Sequence, residues 1–239
     1  MRYIYGPVKS RRLGLSLGVS LTPRKTCNYD CLYCQLGHAE QKVSGRGEYI
    51  KAAEVLAELK LWLQNNSLEA KGLDYITLSG SGEPTLNIRI GQIIQEIKKV
   101  TNTPVAVITN GSLLNDPSVR RELSVADLIV PSLDAATTEL FQKIDRPEPN
   151  IKVEDIIGGL INLRKEFRGK IWLEVMLVKG INDDLSHIEK LKAVIDQVRP
   201  EKIQINSPVR SSSEINISSV GSGKLEKIKG ILGDRCEIV

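Results

Sequence analysis

Apolar residues recur along this chain in two alternating rhythms. Short β-rich runs ending in glycine, proline or polar residues occupy 15–23 ("LSLGVSLTP"), 75–80 ("YITLSG"), 104–111 ("PVAVITNG"), 127–134 ("DLIVPSLD"), 171–180 ("IWLEVMLVKG") and 202–208 ("KIQINSP"). Between them the apolar positions fall at helical spacing: Val55, Leu56, Leu59 and Leu63; Ile90, Ile93, Ile94 and Ile97; Ile156, Ile157, Leu160 and Phe167; Leu185, Ile188, Leu191 and Ile195. Six strand-then-helix units predict an α/β fold with parallel strands, closed into a barrel or part of one, or spread as a doubly wound sheet. No repeat, low-complexity tract or long linker interrupts the pattern, so residues 1–239 are expected to form a single domain.

Composition supports an ordinary folded interior. Aromatic residues are only 4% of the 239, so Leu, Ile and Val must build the core. No apolar stretch approaches the roughly 20 residues of a membrane span, and the first residues lack the apolar segment of a secretory signal. No membrane association and a cytoplasmic location are expected. The net charge of +4 is unevenly placed: Arg2, Lys9, Arg11, Arg12, Arg24 and Lys25 all precede the first acidic residue, Asp30. Such a run is either a solvated surface or a footprint for phosphates.

In parallel β/α folds the loops at the carboxyl ends of the strands carry the chemistry. The unusual residues fall there. "CNYDCLYCQLGH" at 27–38 follows the first strand, "SGSGEP" the second, "TNG" the third, "SLD" the fourth, "KGIND" the fifth and "NSPVR" the sixth. Three of the four cysteines lie within eight residues, which makes no sensible disulfide framework and points to metal or redox chemistry. Thiolates suit zinc or iron–sulfur clusters. Zinc would take Cys27, Cys31, Cys34 and His38 as a tetrahedral set. A four-iron cluster, one cysteine per iron, would leave one iron open to a ligand.

The spacing of Cys27, Cys31 and Cys34, with aromatic Tyr33 before the third, resembles the CxxxCxΦC signature of the radical S-adenosylmethionine (SAM) enzymes. "SGEP" at 81–84 resembles that family's Gly-Gly-Glu-Pro motif, with Ser81 in place of the first glycine. The resemblance implies a partial (β/α)6 barrel of the radical SAM type, with Cys27, Cys31 and Cys34 holding one 4Fe-4S cluster. Its open iron would be chelated by the amino and carboxylate groups of SAM, which an electron cleaves to a 5′-deoxyadenosyl radical. Ser81, Gly82 and Glu83 would then hold the methionine amino group, Tyr33 would lie near the adenine, and Asn110, Ser132 and Asp134 would surround the ribose and carboxylate. A reduced flavodoxin- or ferredoxin-like donor is implied. His38 then becomes an ordinary loop residue, and Cys236 a small buried hydrophobe.

Within that superfamily the opening residues 5–37, "LSGSGEPTL" and "IQINSPVR" look like the tRNA wyosine synthase subgroup. This implies tRNA as substrate and makes Lys179 the candidate for a Schiff base to a small co-substrate, with Arg210 as an anion ligand. One departure stands out: those enzymes carry a second cluster on upstream cysteines, and none precedes Cys27. A peptide or protein substrate, as for glycyl-radical activases, and a zinc or iron–sulfur binding protein without turnover are the alternatives.

Overall fold

The computed structural model of the chain describes residues 1–39, 42–209 and 212–239. Arg210 lies outside the described residues. All six expected strands are present as β2 (Gly14–Val19), β3 (Tyr75–Leu78), β4 (Val105–Thr109), β5 (Leu128–Pro131), β6 (Lys170–Met176) and β7 (Lys202–Asn206), each parallel to the next. Their order in the sheet follows their order in the sequence, the outcome of successive crossovers of one hand. Two strands escape the hydrophobic pattern: β1 (Ile4–Ser10), antiparallel to β2, and β8 (Cys236–Ile238), parallel to β7. The eight-stranded sheet is thus a curled partial barrel with an extra strand at either edge.

Strand alternation sorts the two faces. Leu17, Val19, Ile76, Leu78, Val105, Val107, Leu173 and Ile205 are fully buried in the main core. Helices α1 (Ala52–Asn65) and α3 (Ile90–Val100) cover that face, with Val55, Leu59, Ile90, Ile93, Ile94 and Ile97 all sealed from solvent. Two short helices, α2 (Ser67–Ala70) and α4 (Pro117–Leu123), interrupt or follow them. α5 (Thr138–Ile144), α6 (Val153–Glu166), α7 (Leu185–Val198) and α8 (Ser222–Leu232) complete the outer layer. Asp116 and Asp184 start α4 and α7 by accepting the backbone N–H of Ser118 (2.7 Å) and Ser186 (2.9 Å). No helix of the described residues is long and apolar enough to cross a membrane.

The other face is more polar, carrying Ser16, Thr77, Glu174, Gln204 and Asn206. Its floor is the β1–β2 turn. Leu13, 3% exposed, packs there on Ala106, Leu128 and Val130, with Tyr75 and Trp172 beside it. The turn also reaches the strands across the curl: Arg12 pairs with Glu174 on β6 and its carbonyl accepts from Gln204 Nε2 at 3.3 Å, while Arg11 donates to Asn206 Oδ1 at 3.3 Å. The hairpin therefore plugs the amino-terminal end of the curl and leaves the carboxyl-terminal end for chemistry.

Removing the plug's apolar anchor has a measurable cost. Leu13→Ala is expected to lower stability by about 2–5 kcal/mol, the usual range for a buried leucine. Chemical denaturation checks this, and a loss too small to measure would show that the turn does not bear on the strands.

Candidate active site at the carboxyl ends of the strands

The cysteine loop is stitched to the segment after β3 through its backbone. Lys25, in the left-handed region at φ 59°, donates its N–H to the Ser81 carbonyl at 2.5 Å. Thr26 forms a parallel bridge with Gly82, and its carbonyl accepts the N–H of Glu83 at 3.0 Å. A Cβ on Gly82 would lie 1.9 Å from that carbonyl oxygen, so only glycine allows the approach. Ser81 is not among the residues with positive φ, which explains why a side chain is tolerated where the related motif has glycine. Its hydroxyl donates to Ser20 Oγ at 3.1 Å.

Glu83 is 2% exposed and fully engaged. Its Oε1 accepts from Thr85 N (3.0 Å), Thr85 Oγ1 (2.6 Å) and Thr109 Oγ1 (2.7 Å), and its Oε2 from Asn110 N (2.7 Å). Burial pushes its pKa up while these donors pull it down. Asn110 continues the chain: its Nδ2 donates to Asn28 Oδ1 at 2.8 Å and to Cys27 Sγ at 3.6 Å.

The three cysteines are half-buried. Cys27 Sγ also accepts the Tyr29 N–H at 3.4 Å, and Cys31 Sγ donates to Asp145 Oδ1 at 3.6 Å. The Lys25 ammonium, largely buried, lies beside the Cys34 sulfur and 3.5 Å from Asp30. Burial and the Glu83 charge push the Cys27 thiol up to about 12, and burial beside Asp145 raises Cys31 well above the ordinary range. A metal taking these sulfurs must displace their protons. His38 faces carboxylates, with Nδ1 3.3 Å from Asp30 and Nε2 3.8 Å from Glu214, so the tetrahedral zinc set lacks its fourth member here. Three soft donors on one loop, with N–H groups aimed at a sulfur, fit a multi-iron cluster with one open corner.

Tyr33, Asn110, Ser132 and Asp134 line one narrow pocket beside the cysteines, together with Tyr29 and Asp145. Tyr33 donates its hydroxyl to Asp134, whose other oxygen accepts the Met176 N–H at 2.7 Å. Asp134 and Asp145 are buried together, and desolvation raises the pKa of both. Such a pair favours holding one proton between them. These four expected cofactor residues therefore share one cleft, and Asn110 joins that cleft to Glu83 and Cys27.

Lys179 lies on the β6–α7 loop with its side chain exposed, its N–H on the Ser218 carbonyl at 3.1 Å. Its ammonium has no hydrogen bond or ion pair among the described residues. Sequence reasoning missed Asp145, Lys25, Asn28 and Thr109. Asp145 follows α5, outside any motif, and only the fold brings it to Cys31. The amino-terminal basic run is also divided: Arg2 lies over the Tyr3 ring, Lys25 beside the cysteines, and Lys9, Arg11 and Arg12 along one cavity.

Residues 21–191 match the Radical SAM superfamily. A UPF0026 protein of Synechocystis is 37% identical over 87% of this chain and 76% of its own length. A Brachyspira hyodysenteriae protein described as GTPase Obg is 40% identical over 98% of this chain, which spans only 34% of that protein. A solved structure of TYW1 with a lysine–pyruvate adduct bound has a TM-score of 0.66 at 17% identity, over 91% of this chain and 72% of that one. The chain belongs to the radical SAM superfamily of enzymes and, within it, to the UPF0026 proteins. Members of the superfamily generally use SAM and a 4Fe-4S cluster.

Glu83→Ala would orphan four buried donors, and stability should fall by about 3 kcal/mol or more, along with SAM affinity. Thermal melting and SAM titration of the same preparation check this. An equally stable variant would contradict the bracing role.

Proposed function

We propose that this protein cleaves SAM reductively at one four-iron cluster held by Cys27, Cys31 and Cys34, and uses the resulting radical to modify a base in tRNA. The observation that carries the reading is the single hydrogen-bonded path from Cys27 through Asn110 to Glu83, which also forms a wall of the Tyr33–Asp134 cleft. When bound, the cluster supplies an electron to the sulfonium and SAM supplies the adenosyl radical. The chain's own residues do the positioning. Asn110 and Tyr29 donate to the Cys27 sulfur, Gly82 lets the cysteine loop close on Glu83, and Asp134 with Tyr33 offers polar atoms at the cleft. Leu13 and its hairpin seal the far end of the curl.

The tRNA substrate is supported by the sequence resemblance to wyosine synthases and by the net positive charge. Anaerobic reconstitution should give about four irons per chain. With SAM and dithionite it should yield 5′-deoxyadenosine, which Cys31→Ala abolishes and Cys236→Ala leaves intact. A colourless zinc-loaded protein that makes none would overturn the enzyme reading. tRNA should bind with an affinity that falls steeply as salt rises, through release of counterions. Absent or salt-insensitive tRNA binding, with SAM cleavage retained, would move the substrate to a peptide or protein.

A further inference from the structure

The cysteine loop is gripped from the far end of the chain. Strands β2 and β7 are not neighbours in the sheet, yet the segments that follow them meet. Ser213, after β7, directs its hydroxyl at the carbonyls of Cys31 (2.9 Å) and Leu32 (2.8 Å) and shares its one proton between them. The N–H of Glu214 also donates to the Leu32 carbonyl, at 3.2 Å. The Glu214 carboxylate then takes Arg146, which follows α5, at 2.6 Å. Ser212 donates its hydroxyl to the Glu214 carbonyl at 2.7 Å, a tight turn that presents Ser213 to the loop. Ser213 and Glu214 are half-buried and Ile215 is 96% exposed, so the chain dips onto the cysteine loop and turns out again.

One of the carbonyls that Ser213 holds also closes the cysteine turn. Cys34 donates its N–H to the Cys31 carbonyl at 3.1 Å, which sets the spacing of two of the three expected ligands. Leu32 in turn donates its N–H to the Ile144 carbonyl at 2.9 Å. The backbone between Cys31 and Tyr33 is therefore held through its N–H by the end of α5 and through its carbonyls by Ser213 and Glu214. Rotating the Cys31–Leu32 peptide would break the turn and move one sulfur relative to the other. Tyr33, inside the same turn, bonds Asp134 in the cleft, so the turn also places a wall of that cleft. Beyond Ser213 the segment is anchored again: Ser219 forms an antiparallel bridge with Val178, and the Ser218 carbonyl accepts the Lys179 N–H at 3.1 Å.

We propose that Ser213 is a positioning residue for the cluster, fixing the Cys31–Cys34 turn so that both sulfurs are in place before iron arrives. It acts through two backbone carbonyls and bonds no sulfur itself. A ligand loop ordered in advance gives up less freedom on binding. Groups that orient metal ligands from outside are typically worth roughly 10–100-fold in metal affinity or activity. The proposal rests on the reading of Cys27, Cys31 and Cys34 as cluster ligands, and adds to it a residue that belongs to none of the motifs around them.

Two measurements on the full chain test this. In the anaerobically reconstituted protein, Ser213→Ala should speed the loss of iron to a ferrous chelator about tenfold. The same variant should change the line shape of the reduced cluster's paramagnetic signal. Ser213→Thr, which keeps the hydroxyl, should restore both, and Ser222→Ala, at the exposed start of α8, should alter neither. In the iron-free protein, alkylation by iodoacetamide followed by mass spectrometry should be faster at Cys31 and Cys34 in Ser213→Ala and unchanged at Cys236, buried in β8. Iron release and line shape equal to those of the unaltered protein, or no recovery with threonine, would overturn the proposal. An equal rise in alkylation at Cys236 would mark general loosening of the fold and overturn it too. Faster alkylation at Cys31 and Cys34 in a protein that takes up no iron would sink the cluster reading and leave the clamp standing; a stable cluster indifferent to Ser213 would do the reverse.

Discussion

The rim of this protein is organised around one buried carboxylate. Glu83 has almost no access to water, and it remains tolerable only because four donors from Thr85, Thr109 and Asn110 converge on it. Those donors belong to the segment after β3 and to the end of β4 and the residue beyond it, so the carboxylate locks the ends of β3 and β4 together. Its own backbone N–H clasps Thr26, one residue before Cys27. Gly82 makes that clasp sterically possible, because any Cβ would meet the same carbonyl. The position of the cysteine loop is thus a consequence of satisfying a single desolvated charge.

The division of the sheet into an apolar and a polar face follows from strand periodicity and assigns separate tasks. Leucine, isoleucine and valine on one face bury helices and supply most of the stability. The polar face is left free of helices and capped from below by the hairpin, which gives an interior that is enclosed yet hydrophilic. Under the proposed function a radical formed at the rim would be shielded on the floor side, and the groups on the polar face include hydroxyls, amides and a paired guanidinium. Arg12 and Glu174 show how the hairpin is tied in, by an ion pair across the curl.

Much of this was legible in the sequence. The six central strands announce themselves through β-branched runs, and the helices of α1, α3, α6 and α7 through spacing. β1 was not legible because Gly6 and Pro7 interrupt it and its residues are largely exposed. β8 has only three residues, too few for a period. α4 and α5 are two turns each, below the length at which a stripe declares itself. At the site, the cysteines, Gly82 and Glu83 could be read because they form local motifs. Asp145 could not, since its meeting with Cys31 is purely tertiary, and neither could the contacts of Arg11 with Asn206 and of Arg12 with Glu174, which join residues far apart in the chain.

The account rests on a single cluster whose open corner takes SAM. Electron paramagnetic resonance of the dithionite-reduced, reconstituted protein, recorded before and after adding SAM, tests this most directly. One cluster signal, integrating to no more than one spin per chain and changing shape when SAM is added, is the result predicted. Two distinguishable signals, or one indifferent to SAM, would contradict it.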